Sequence, residues 1–163
     1  MSTVNPVPEG YYTITPHMVI KNAAEAIDFY KKALGAEELS RHMMPGGQLV
    51  MHATLKIGNS MLMIADEFPE GQGCPGWVSP QSNKGTTIAL HLFVEDVDAA
   101  YQKAVDAGCK PTMPPMDAFW GDRYGQVFDP YGHCWSMATR KADLNEEEIA
   151  KAAEEMFKTG GCS

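Results

Sequence analysis

Basic residues are scarce in this chain: 13 of 163 are Lys or Arg against 21 Asp or Glu, giving a formal charge of −8. Surfaces that follow a phosphate backbone draw their affinity from clustered Lys and Arg. Here the basic residues are scattered, which excludes nucleic acid and anionic membranes as partners. No apolar run approaches the roughly 18 residues needed to cross a bilayer, and the opening residues show no secretory pattern. Cysteine is sparse too. Cys74, Cys109, Cys134 and Cys162 have neither CxxC nor metal-finger spacing, so reduced thiols in a cytoplasmic protein are expected, without a disulfide framework. G-x-S-x-G, a phosphate-cradling glycine loop and a dinucleotide fingerprint are all missing, which sets aside hydrolase, kinase and NAD-dependent readings. A Cys134 pair with His133 or His91 is conceivable as nucleophile and base, but nearness in sequence shows no activated thiolate. The 44% hydrophobic content is enough for one well-buried domain or two fused small modules.

What the chain does have is a repeat. Shifting it by 74 positions lays His17 on His91, Ile20 on Val94, His52 on Gln126 and Gly58 on Gly132. The first copy, residues 12–66, reads as an extended run (14–20), a helix (23–34) closed by Gly35, and three more extended runs. The second, residues 86–140, repeats that order with a strand (86–94), a helix (97–107) begun by Asp96 and closed by Gly108, and three strands ending near Thr139. Between them, residues 67–85 carry Pro69, Gly71, Gly73, Pro75, Gly76, Pro80 and Gly85, which forbid a regular element. Within this linker, Trp77 and Phe68 are read as an anchor or a lid. A last helix is expected within residues 144–158, capped by Asn145 with Glu148 completing a capping box. Its stripe of Ile149, Ala152, Ala153, Met156 and Phe157 suits docking on the body or on a second subunit. The fold class that follows is α+β, two tandem βαβββ modules forming a curved mixed sheet around a cavity, plus a C-terminal helix.

Period-two alternation puts Met18 and Ile20 under the first helix and His17 on the opposite, concave side. It places His91 likewise, with Ile88, Leu90, Leu92 and Val94 facing the second helix. Both histidines are therefore expected to line one shared cavity; the facing of His52 stays open. The segment 119–125 adds Trp120, Arg123 and Tyr124. Arg123 either binds a carboxylate or phosphate through its planar fork or pairs with Asp122 or Asp129 to fix a turn. Gly132 in DPYGH serves a turn with positive φ. Eleven methionines suit an adaptable apolar lining or ordinary gap-filling.

The duplicated order, together with AAEAIDFYKKALGA, HATLKIGNSMLMIADEFPE, LHLFVEDVDAAYQKAVDAG and above all FWGDRYGQVFDPYGHCWSMATR, resembles the vicinal oxygen chelate superfamily (glyoxalase I, extradiol dioxygenases, bleomycin-resistance proteins), and within it the PhnB-like branch. The resemblance implies a divalent ion held by one side chain from the first and last strand of each module. It puts Thr15, Leu62 (or Met63 after a one-residue slip), Ala89 and Ser136 at those positions, a set that is not competent for such an ion. A displaced chelate of His17 and His91, with His52 or Asp122 as a third ligand, is one alternative; histidines hydrogen-bonded in a polar pocket are the other. The expected function is metal-free binding of a small organic ligand by a homodimer, through His17, His52, His91, Trp120, Arg123 and Tyr124. The competing expectations are a divalent-metal-dependent lyase, isomerase or dioxygenase of the glyoxalase type, and an interaction module recruiting a partner through its last helix.

Overall fold

The computed structural model describes residues 4–158; Cys162 and the side chain of Phe157 lie outside that description. The described chain forms two compact units divided between Thr87 and Ile88. Each unit holds a four-stranded mixed sheet. The first comprises β1 (His17–Ile20), α1 (Ala23–Leu34), β2 (Glu37–Met43), β3 (Val50–Ile57), β4 (Ser60–Asp66) and a short helix α2 (Pro80–Asn83). The second comprises β5 (Ala89–Phe93), α3 (Val97–Ala107), β6 (Lys110–Asp117), β7 (Asp122–Phe128), β8 (Cys134–Arg140) and α4 (Glu146–Lys158). Strand orders are β1-β4-β3-β2 and β5-β8-β7-β6, so the first strand of each module runs parallel to its last and the remaining pairs are antiparallel.

The helices form because their apolar residues recur on one face. Ala23, Ala26, Ile27 and Tyr30 of α1, and Val97, Tyr101 and Ala104 of α3, are buried. Each helix packs on its own sheet, over Met18, Ile20, Leu55 and Ile64 in the first module and Val127, Trp135 and Met137 in the second. Gly35 closes α1 in the left-handed region at φ 67°, where a side chain would be strained. The last strand of each module also secures the start of the helix. In the first, Asn22 sits at φ 61° and makes no side-chain cap, and buried Asp66 accepts instead from the backbone N–H of Ala23 (2.8 Å) and of Val50 (2.7 Å). In the second, Thr139 accepts from the Val97 N–H (2.8 Å) and donates to the Val94 carbonyl (2.9 Å). For α4, Asn145 and Glu148 cap each other's backbone N–H groups as the capping box requires. Its stripe of Ile149, Ala152, Ala153 and Met156 is half-buried.

Three expectations need correction. The first strand begins at His17 rather than residue 14, since Thr15 bends back to bond the Tyr12 carbonyl and Pro16 has no N–H to pair. Similarly, the fifth strand is shorter than residues 86–94 and leaves Ile88 exposed. The linker is not wholly irregular: Ser79 caps α2, accepting from the Ser82 N–H, with Pro80 at the first helical position, where proline's fixed φ is an asset. Glu67 fastens this helix to the end of the first sheet by accepting from Ser79 and Ser82.

Candidate functional site

Away from α1, the open face of the first sheet is organised in rows. His17 stands opposite Met63, and Met63 opposite Thr54. One row on, Val19 stands opposite Ala65, and on the inner strand His52 pairs with His42. The central strand β4 thus offers only the methyl group of Ala65 beside Met63, and the two imidazoles close over that gap. Their ring centroids are 5.4 Å apart and their planes perpendicular. His52 therefore shares the face of His17, which periodicity left open. Tyr11 donates to the Thr54 hydroxyl (3.3 Å), which in turn lies 3.4 Å from His52 Nε2. Trp77, from the linker, meets His17 edge-on at 4.7 Å and borders a cavity of about 500 Å³ also lined by Glu67, Phe68 and Val78. Crowding by these neighbours, and then the second imidazole of His52, holds the His17 pKa below its ordinary value.

The second module repeats the plan with different chemistry. His91 stands opposite Ser136, and Ser136 opposite Gln126. In the next row Phe93 stands opposite Ala138, Ala138 opposite Tyr124, and Tyr124 opposite Met116. Ala138 is the counterpart of Ala65. Over it His91 lies nearly parallel to Tyr124, centroids 6.0 Å apart at 12°. His91 Nδ1 is 2.8 Å from the buried Ser136 hydroxyl, and Phe93 packs edge-on against the imidazole at 4.6 Å. Trp120 packs against Tyr124 at 5.6 Å, and its indole N–H donates to Asp122 (2.9 Å). The face is apolar and accessible: Phe93 is 72%, Met116 48% and Trp120 38% exposed.

Comparing the rows revises one pairing made from sequence. A constant shift lays His52 on Gln126, but in the sheets Thr54 corresponds to Gln126 and His52 to Tyr124. The connection between β6 and β7 (118–121) is two residues shorter than that between β2 and β3 (44–49), so the offset that holds for the first strands does not hold for the third. Arg123 is also partnered differently from either ion pair foreseen. Its fork grips Asp98 of α3 through Nε (2.6 Å) and Nη2 (2.8 Å), while Nη1 bonds Asp117 (3.1 Å). These carboxylates push its pKa further up. Asp129 instead accepts from the N–H groups of Tyr131 and His133 and from the Trp135 indole, holding the turn in which Gly132 adopts φ 90°. The thiols of Cys109 and Cys134 are buried, and burial first, then the nearby Asp129, raises both. Neither has the character of an activated nucleophile.

The match to a family model, described as Glyoxalase/Bleomycin resistance protein/Dioxygenase superfamily, spans residues 13–137 and so both modules. The chain belongs to that superfamily. Uncharacterized protein Rv0887c of Mycobacterium tuberculosis is 44% identical over 140 residues, 85% of this chain and 81% of that protein. The X-ray structure of an Arabidopsis thaliana gene product, At5g48480, is 26% identical with a TM-score of 0.61, covering 78% of this chain and 98% of that one. The fosfomycin resistance protein FosX of Listeria monocytogenes, solved with Mn(II) and sulfate, shares the fold at 14% identity and a TM-score of 0.58, covering 87% of this chain and 97% of that one.

In a glyoxalase-superfamily protein the donor set for a divalent ion is a direct test. The positions implied by resemblance hold Thr15, Met63 or Leu62, Ala89 and Ser136: two hydroxyls, a thioether or isobutyl group, and a methyl. Thr15 lies outside β1, Ala89 stands opposite Cys134, and Ser136 is engaged with His91. Among the described residues no three His, Cys, Asp or Glu side chains are gathered as metal ligands. This set does not fit a hard or borderline divalent ion, which wants imidazole nitrogen and carboxylate oxygen. Nor, among the described residues, is any helix long and apolar enough to cross a membrane.

Proposed function

We propose that this chain is a small-molecule-binding member of the superfamily, of the PhnB-like branch, which holds a planar organic ligand on the ring platform of its second module without the superfamily's divalent ion. One observation carries the reading: His91, fixed by Ser136, lies parallel to Tyr124 beside exposed Phe93 and Trp120. Exposed apolar surface with a few oriented polar groups is what ligand sites use. Flat rings gain stacking energy beyond their burial, and the imidazole supplies a polar handle. Tyr124, His91 and Trp120 are the principal contacts. Arg123, committed to Asp98 and Asp117, positions the strand that bears Tyr124. FWGDRYG followed by DPYGHCWS, the segment behind the PhnB-like assignment, supplies Trp120, Tyr124 and the turn that fixes β8. We further propose that the chain works as a cytoplasmic homodimer, with the stripe of α4 as one of its contact surfaces.

The test is a fragment screen of planar aromatic acids, amides and amines on chelator-treated protein, read by thermal shift and tryptophan fluorescence. A hit weakened at least ~10-fold by Tyr124→Ala, as expected for loss of a ring contact worth about 1.4 kcal/mol, supports the proposal. Hits that need added divalent ion point to the glyoxalase-type reaction instead.

A further inference from the structure

The two alanine-floored gaps have the same architecture and different donors. The second is bordered by the rings of His91, Phe93 and Tyr124, whereas the first is bordered by two imidazoles with a thioether residue next along β4. Two imidazoles converge across β4, and the residue next to Ala65 on that strand's open face is a methionine directly opposite His17. Imidazole and thioether together suit a soft, low-charge ion much better than a hard divalent one.

The spacing agrees. An ion bound to a ring nitrogen lies about 3.2 Å from that ring's centroid, given a metal–nitrogen bond of about 2.0 Å. Two such rings with centroids 5.4 Å apart subtend an angle of about 120° at the ion, leaving the third place of a trigonal site. Outer support is present as well. Thr54, itself accepting from Tyr11, is within reach of His52 Nε2, so an Nε2–H bond to this hydroxyl leaves Nδ1 as the free lone pair. Ligating histidines are usually held in this way. Trp77 covers the edge of His17 and shields one side from water. We propose that the first module binds a soft monovalent cation of the copper(I) class between His17, His52 and Met63. This site is separate from the ring platform of the second module, and either proposal can fail without the other.

The experiment is an anaerobic copper(I) titration of the full chain against a chromophoric competitor, in a Cys74→Ser, Cys162→Ser background that removes the exposed thiol and the terminal one. Saturable near-stoichiometric uptake with quenching that disappears in Trp77→Phe is expected. His17→Ala and His52→Ala should each weaken binding by at least ~100-fold, and Thr54→Val by about 10-fold, the scale of an outer-shell partner. Met63→Leu, which conserves volume and therefore fold, should weaken copper(I) by at least ~10-fold. Absence of uptake, uptake unchanged in His17→Ala or His52→Ala, or full affinity in a folded Met63→Leu protein would each overturn the proposal.

Discussion

Removing the carboxylate of Asp66 should cost the first module much of its stability. This side chain, 4% exposed, accepts the Ala23 N–H at 2.8 Å and the Val50 N–H at 2.7 Å, and Asn22 makes no side-chain cap that could substitute. Each hydrogen bond to a charged acceptor contributes about 1.5–3 kcal/mol, and stranding a buried donor costs about 1–3 kcal/mol. Asp66→Ala strands two donors and loses a cap, so about 3–5 kcal/mol is expected. Asp66→Asn keeps one acceptor oxygen and turns an amide N–H₂ toward the other donor, so about 2–3 kcal/mol follows. Urea unfolding read by Trp77 fluorescence, with the other two tryptophans replaced, checks this in the module concerned. A chain of this size loses about 2–4 °C in melting temperature per kcal/mol, so Asp66→Ala should melt about 6–20 °C lower. A loss below about 1 kcal/mol in both variants would refute the assignment of Asp66 as the cap of α1.

Gly125→Ala should destabilise the second module by about 1–3 kcal/mol, because the added methyl meets the Met113 carbonyl, Pro115 and Tyr101 at 3.2 Å; equilibrium unfolding measures it. The neutral form of His17 is favoured in the fold, since its pKa lies below the ordinary value. The native state thus binds fewer protons than the unfolded chain, and this contribution is intact above about pH 6.5 and lost as pH falls through the lower native pKa. The stability of the wild type relative to His17→Asn should accordingly decline as pH falls below about 6.5, and a flat difference would contradict the placement of His17. Peptide mapping after brief native alkylation should find Cys74 modified and Cys109, whose thiol is pushed up to about 12, and Cys134 untouched.

The helices and most strands were legible because their signals are local. Apolar spacing in residues 23–34 and 97–107, Asp96 as a cap, Gly35 and Gly108 as stops, and the Asn145–Glu148 box each act within a few residues. Alternation also put His17 on the face away from α1. The rest depends on register, which no single segment carries. Whether His52 corresponds to Gln126 or to Tyr124 turns on the length of one hairpin connection, and that shift exchanges an amide for a ring in the site. The partner of Arg123 is Asp98, 25 residues away on α3, while nearer Asp122 and Asp129 are taken by Trp120 and by the DPYGH turn. The role of Ala65 and Ala138 has no sequence signal either, since a buried alanine reads as core until its neighbours across the sheet are known.

The most direct test is calorimetric titration of the strongest fragment hit into chelator-treated wild type, Tyr124→Ala and His91→Ala proteins, repeated after loading with Mn, Ni or Zn. Binding by the chain's own rings predicts an affinity unchanged by the added ion and lowered at least ~10-fold in each variant, about 1.4 kcal/mol or more. Affinity that appears only with the divalent ion, or that survives loss of both rings, would contradict it.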